Sequence, residues 1–265
     1  MTTGTAPYLS LEHPVRLAHR GSRVLWPENT REAFRGAVAL GYRYIETDVR
    51  ISRDGHVVVF HDATLERTTD GRGKVIDRTL DELRELDAGY TFDPDAGYPM
   101  RGRRVGISTL AEVFAEFPDV HFNLDLKGPG LEWAVADVIK AAGREESTLV
   151  GSFYDHRSAK FRRITRRSVA TSAGPSATIA MWLASRVGRY VTRPVAAYQI
   201  PFDYRSLPID RKYIDAIHNS GAQVHFWTVN EPADMTRLLD MGADGIVTDR
   251  PDLLNEVLRD RGREV

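Results

Sequence analysis

Short apolar runs alternate with longer helical patterns along this chain, and that alternation constrains its fold more than any other feature. The strand candidates are VRLAHR (15–20), YIETDV (44–49), HFNLDLK (121–127), TLVGSF (148–153), SVATSA (168–173), AAYQI (196–200), QVHFWTV (223–229) and DGIVTD (244–249). Between them lie the helical patterns NTREAFRGAVAL (29–40), TLAEVFAEF (109–117), LEWAVADVIKAA (131–142), IDRKYIDAIHNS (209–220) and EPADMTRLLDMG (231–242). Strands that alternate with helices pair in parallel through crossover helices. Eight such units in 265 residues match an α/β fold of the (β/α)8 TIM-barrel type. A doubly wound sheet is the alternative, and the clustering of polar residues at strand C-termini favours the barrel. The stretch from about 63 to 107 breaks the alternation with turn and charge signals such as TTDGRGK and DAGYTFDPDAGYP. It is too long for an ordinary connection and reads as a small insertion after the second strand. Residues 1–265 are therefore expected to form one barrel domain.

At the C-terminal rim of a barrel, the side chains that end the strands face the active site. Here they are His19 and Arg20, then Glu46 and Asp48, then His61 and Asp62 after a further extended piece, then Asp125 and Lys127, then His225 and Trp227, and last Asp249. Glu46 and Asp48, at i and i+2, share one face of their strand, roughly 6.6 Å apart along the backbone. Asp125 and Lys127 repeat that spacing. Three carboxylates, Glu46, Asp48 and Asp125, on one rim repel each other unless a cation sits among them, and oxygen-only donors favour one hard divalent cation, Mg²⁺ or Ca²⁺. With Arg20 and Lys127 beside it, such a site suits an anion, above all a phosphate. Two nearby histidines, His19 and His61, can serve as general acid and base near neutral pH.

Each residue has a plainer reading. A Glu-x-Asp pair is also half of a surface alternation, and His19 or His61 can be a hydrogen-bonded core histidine. For His225 the structural role is preferred. Trp227 is either core filling or a substrate platform. Asp249 can cap a last helix that carries Pro251 in its first turn. What argues against coincidence is the recurrence of such residues at successive strand ends.

With 36 basic against 37 acidic residues and a net charge of −1, nothing points to nucleic acid as a partner. The chain has no cysteine, which removes disulfide and thiolate chemistry and is compatible with the cytoplasm, the expected location. The N-terminal stretch lacks the pattern of a secretory signal, and no run approaches the length of a transmembrane segment. No pattern sets an oligomeric state.

AHRG (18–21), PENT (27–30), IETDVRISRDGHVVVFHD (45–62) and LERTTDGRG (65–73), with the later WTVN (227–230) and GADGIVTDRP (242–251), closely resemble the glycerophosphodiester phosphodiesterase family. The resemblance spans about residues 15 to 255. It implies a (β/α)8 barrel with a small insertion after the second strand. It also implies hydrolysis of a small-molecule glycerophosphodiester substrate to glycerol 3-phosphate and an alcohol, with a bound divalent metal. Carried over motif by motif, Glu46 and Asp48 are metal ligands, His19 and His61 the acid/base pair, Arg20 a phosphate contact, and Lys127 the lysine near the phosphate. One position departs: the family commonly has Glu-x-Lys on its third strand, and Asp125 shortens that carboxylate by one methylene, leaving metal identity open. Water or the substrate's own glycerol hydroxyl can be the nucleophile. Three competing activities remain: lysophospholipase D-type hydrolysis, with ATIAMWLASRVGRYV (177–191) as a candidate acyl-binding helix; a cyclic-product phospholipase; and a non-catalytic phosphodiester-binding protein. The last is disfavoured because both histidines and the carboxylates are all present.

Overall fold

The structure, a computed structural model, describes residues 6–203, 208–263 and 265. Its strands are β1 (Val15–His19), β2 (Tyr44–Ile51), β3 (Val57–Val59), β4 (His121–Leu126), β5 (Thr148–Gly151), β6 (Ala170–Thr171), β7 (Ala197–Pro201), β8 (Gln223–Trp227) and β9 (Gly245–Thr248). Eight of them run parallel in the order β6-β5-β4-β2-β1-β9-β8-β7. The two ends of that row meet: Ala196 N donates to the Thr171 carbonyl and Ala173 N to the Ala197 carbonyl, each at 2.9 Å. The sheet is thus a barrel, and each strand candidate contributes one strand. The candidate at 168–173 shrinks to the two residues of β6.

Around it run α1 (Arg31–Ala39), α2 (Leu80–Arg84), α3 (Leu110–Glu116), α4 (Leu131–Ala141), α5 (Asp155–Ile164), α6 (Pro175–Arg186), α7 (Arg211–Asn219), α8 (Pro232–Asp240) and α9 (Pro251–Asp260). Two helices begin with the Thr-x-x-Glu box that satisfies both ends of the first turn: Thr79 with Glu82 at α2, and Thr109 with Glu112 at α3. Strand alternation divides the apolar residues. Ala18, Ile45, Phe122, Val150 and Phe226 join the core between sheet and helices. Their neighbours Leu17, Tyr44, Leu149 and Val247 fill the inside of the barrel with Tyr8. Full burial of one such Leu, Val or Phe side chain contributes about 1.5–3 kcal/mol.

Two local features place the site. Gly21, at φ +79°, lets the end of β1 lie against α1; a Cβ there would stand 2.7 Å from the Ala33 Cβ. Second, β2 overruns the barrel and folds back into β3, an antiparallel strand paired Val49–Val59 and Ile51–Val57. The return brings Phe60 N to the Asp48 carbonyl at 2.9 Å, which delivers His61 to the barrel mouth. Beyond it, the 60–109 region has its own small apolar cluster around Leu65, Val75, Leu83 and Val105.

Candidate active site

A cavity of about 440 Å³ opens at the C-terminal end of the strands. Its lining includes eight of the eleven strand-end residues singled out in the sequence: His19, Arg20, Glu46, Asp48, His61, Asp125, Lys127 and Trp227. His225 does not reach it. That ring is fully buried inside the barrel, where Nε2 lies 3.0 Å from Gln223 Oε1. Burial pulls its pKa to about 4, so it is a neutral structural histidine.

Each site histidine is held by an aspartate. His19 Nδ1 lies 2.6 Å from Asp249 Oδ1, and His61 Nδ1 lies 2.5 Å from Asp62 Oδ1. A carboxylate only accepts, so each Nδ1 carries a proton and each Nε2 is the nitrogen left to exchange a proton with a substrate. Asp249 is buried, yet its hydrogen bonds from His19 and Asn230 and the Arg23 charge hold its pKa at about 2. The helix-cap reading of Asp249 is thereby corrected: Arg250 occupies the N-cap of α9, and the Asp249 side chain turns to His19. Asp62, also at about 2 despite partial burial, is held by Arg67 and His61. Burial lowers the His61 pKa from its ordinary value.

The cations form a chain. Arg67 grips both oxygens of Glu28 at 2.7 and 2.8 Å, and Glu28 in turn accepts from Arg20 Nη1 at 2.9 Å. Arg20 Nε stands 3.2 Å from Asp48 Oδ2 as an ion pair, without the alignment of a hydrogen bond. Lys127 Nζ donates to Asp125 Oδ2 at 2.6 Å and lies 3.0 Å from Asp48 Oδ1. Burial would raise the Asp48 pKa, but Lys127, Arg20 and His61 outweigh it and the net shift is downward. Asn29, in the left-handed region at φ +58°, donates from Nδ2 to Asp48 Oδ2 at 2.9 Å and accepts from Thr47 Oγ1 at 2.7 Å.

The residues present suit a divalent cation chemically. Their donors are hard oxygens. Asp125 Oδ1 is buried with no hydrogen-bond partner among the described residues. Glu46 is pushed up to about 7 by burial and by Asp48, as happens when two carboxylates share a pocket with too little positive charge beside one of them. Among the described residues, no three Asp, Glu or His side chains are arranged as a ready metal cage. The Lys127 ammonium stands between Asp48 and Asp125 instead.

Four residues of the site lie outside the strand-end set named above. Asn29 and Glu28 lie in PENT, on the loop before α1. Arg67 comes from the insertion. Phe153, just beyond β5, packs edge-on against Trp227 with ring centroids 5.5 Å apart. PENT and LERTTDGRG, both quoted for the family resemblance, carried the sequence signal for Glu28, Asn29 and Arg67, and Phe153 closes the strand candidate TLVGSF.

A profile of the Glycerophosphoryl diester phosphodiesterase family matches residues 19–253. A Mycobacterium tuberculosis protein named Probable glycerophosphodiester phosphodiesterase 2 is 36% identical over 99% of this chain and 98% of its own. A Caldanaerobacter subterraneus glycerophosphodiester phosphodiesterase is 34% identical over 93% of this chain and 98% of its own. Among solved structures, an Oleispira antarctica phosphodiesterase in complex with the product sn-glycerol-3-phosphate superposes with a TM-score of 0.75 at 27% identity, covering 93% of this chain and 97% of that one.

Proposed function

The chain belongs to the glycerophosphoryl diester phosphodiesterase family, and from that membership we propose that it hydrolyses glycerophosphodiesters to sn-glycerol 3-phosphate and an alcohol. The observation that carries this reading is the pair of imidazoles, each oriented through Nδ1 by an aspartate, in one pocket with Arg20 and Lys127.

In this mechanism Arg20 and Lys127 bind the phosphate and offset the charge that builds on its non-bridging oxygens in the transition state. The attacking oxygen gives its proton to Nε2 of one imidazole. As the P–O bond to the leaving alcohol breaks, that alcohol oxygen takes a proton from Nε2 of the other, protonated, imidazole. Asp249 and Asp62 hold the tautomers and stabilise each ring while it is charged. Glu46, Asp48 and Asp125 would hold a divalent cation, which when bound supplies Lewis-acid polarisation of the phosphoryl group. Trp227 and Phe153 wall one side of the pocket. The chain acts as one catalytic unit, with the insertion supplying Arg67 to brace Asp62 and Glu28.

A second reading, hydrolysis of lysophospholipids, is favoured by one feature of the rim. Phe153 and Ile179 line the pocket and are 56% and 42% exposed, and Leu183, one turn further along α6, is 57% exposed. Other parts of the candidate acyl-binding helix face elsewhere: Met181 is buried in the core, and α6 ends at Arg186, before Gly188 at φ +67°.

A product assay tests both. Purified protein with Mg²⁺ or Ca²⁺ is given glycerophosphocholine, glycerophosphoethanolamine, glycerophosphoinositol and lysophosphatidylcholine, and released glycerol 3-phosphate and choline are measured. Release of glycerol 3-phosphate from the water-soluble diesters is expected. Turnover of none of the four would contradict the proposal.

A further inference from the structure

The interior of a (β/α)8 barrel is ordinarily packed with branched apolar side chains, yet the floor of this cavity is polar. Asn123 on β4, Gln199 on β7, Ser172 just after β6 and Gly151 at the end of β5 all line it. Asn123 is only 5% exposed. Its Oδ1 and the Nε2 of Gln199 are buried, and neither has a hydrogen-bond partner among the described residues. Buried amides are normally satisfied, so two unsatisfied ones bordering one cavity call for a partner that enters it. Gly151 keeps that space open. A Cβ there would lie 2.6 Å from Ser172 Oγ and 3.7 Å from Gln199 Oε1. The strand register sets Asn123 level with Glu46 and two residues below Asp125, so Asn123 lies deeper in the barrel than Asp125 and Lys127 on its own strand. The rim is the opposite in character, with the exposed apolar side chains of Phe153 and Ile179.

We propose that Asn123 and Gln199 read the hydroxyls of the glycerol moiety, which seats on this floor while the leaving alcohol points to the open rim. The assignment rests on the phosphodiesterase reading above. A primary amide offers both a donor and an acceptor, and so does a hydroxyl. Two amides therefore match the two hydroxyls of a glycerol phosphoester in a way that two apolar side chains could not. A site built to hydrogen-bond a substrate hydroxyl rejects analogues that lack it, because its buried polar groups are then left unpaired. The division also fits the chemistry of the substrate class: glycerol is its constant half and suits a closed, polar floor, while the alcohol varies and suits an open rim.

The test compares wild type, Asn123→Ala and Gln199→Met on glycerophosphocholine, on the analogue lacking the 2-hydroxyl, and on bis(4-nitrophenyl) phosphate, a diester with no hydroxyl. Thermal melts confirm the fold, and Asn123→Ser replaces the alanine variant if that one melts below the assay temperature. In the variants, kcat/KM on glycerophosphocholine is expected to fall at least ten-fold further than on bis(4-nitrophenyl) phosphate. The wild-type preference for the substrate with the 2-hydroxyl is expected to shrink. Equal losses on all substrates, or no loss, would overturn the assignment alone. Wild-type protein that cleaves bis(4-nitrophenyl) phosphate but not glycerophosphocholine would overturn the functional reading and the assignment with it.

Discussion

Asp249 and His19 are 230 residues apart in sequence and 2.6 Å apart in the structure. The β1–β9 pairing that closes this side of the barrel, Ala18 against Thr248, carries them together. Asp62 does the same for His61 from the next position in the chain. Replacing either aspartate by asparagine keeps the volume but removes the charge and the obligate acceptor, so the ring is free to present the wrong nitrogen. Asp249→Asn and Asp62→Asn should each lower kcat by about ten-fold to 10³-fold, within the usual worth of acid–base catalysis, with melting profiles of a folded protein. Unchanged kcat in both variants would show that the imidazoles need no orientation.

Truncating the imidazoles themselves should cost more. His19→Ala and His61→Ala are each expected to reduce turnover by about 10² to 10⁴ while circular dichroism stays that of wild type. A variant that unfolds would point to a packing role for that ring, and one that stays folded and active would take it out of the mechanism.

Asp125 is one methylene shorter than the glutamate common at this point of the family. Its Oδ2 accepts from Lys127, and its Oδ1 is unpartnered among the described residues. Mg²⁺ demands a near-octahedral shell at about 2.0–2.1 Å and keeps waters, whereas Ca²⁺ tolerates varied ligands at about 2.3–2.6 Å. A shorter arm favours the smaller, more hydrated ion. Mg²⁺ should therefore support activity at least as well as Ca²⁺, and Asp125→Glu should move the preference toward Ca²⁺. Rates and calorimetric affinities with each metal check this; identical metal profiles for the two proteins would contradict it.

A pH-dependent contribution to stability lies at the other end of the barrel. His218 Nε2 sits 2.8 Å from Asp244 Oδ2, and that hydrogen bond raises the His218 pKa above its ordinary 6.5. Asp215 adds to the rise and Arg211 opposes it. His13 shares Asp244, at 3.2 Å. Asp244 is held far below the usual carboxylate range by His13, His218 and the Val224 N–H, against the effect of burial, so it stays charged throughout. Because the folded-state pKa of His218 is the higher one, its contribution is complete below the unfolded value and disappears as pH rises through the folded value. The melting temperature gap between wild type and His218→Asn should be wider at pH 5.5 than at pH 9. An equal gap at both would rule out the ion pair as its source.

The barrel was legible because eight apolar runs separated by helical periods leave few other ways to bury both faces of a strand. The strand-end residues were legible for a related reason, since alternation and register place them at one rim. What escaped depended on partners remote in sequence or on backbone direction. Asp249 looks like an ordinary helix start until β9 pairs with β1. Asn29 reaches Asp48 because its backbone turns left-handed. Helix α5 was missed because its only strongly apolar buried side chain is Phe161, amid Arg157, Lys160, Arg162 and Arg163. Lys127 was read as a phosphate contact, but its ammonium also bridges Asp48 and Asp125, a pairing that residue spacing does not reveal.

The most direct test of the central claim is phosphorus NMR of glycerophosphocholine incubated with the purified protein, before and after chelation and metal restoration. The account predicts that sn-glycerol 3-phosphate replaces the diester signal, that chelated protein is inactive, that Mg²⁺ or Ca²⁺ restores it, and that His19→Ala stays inactive with either ion. Phosphocholine as the product, or full turnover by the chelated protein, would contradict it.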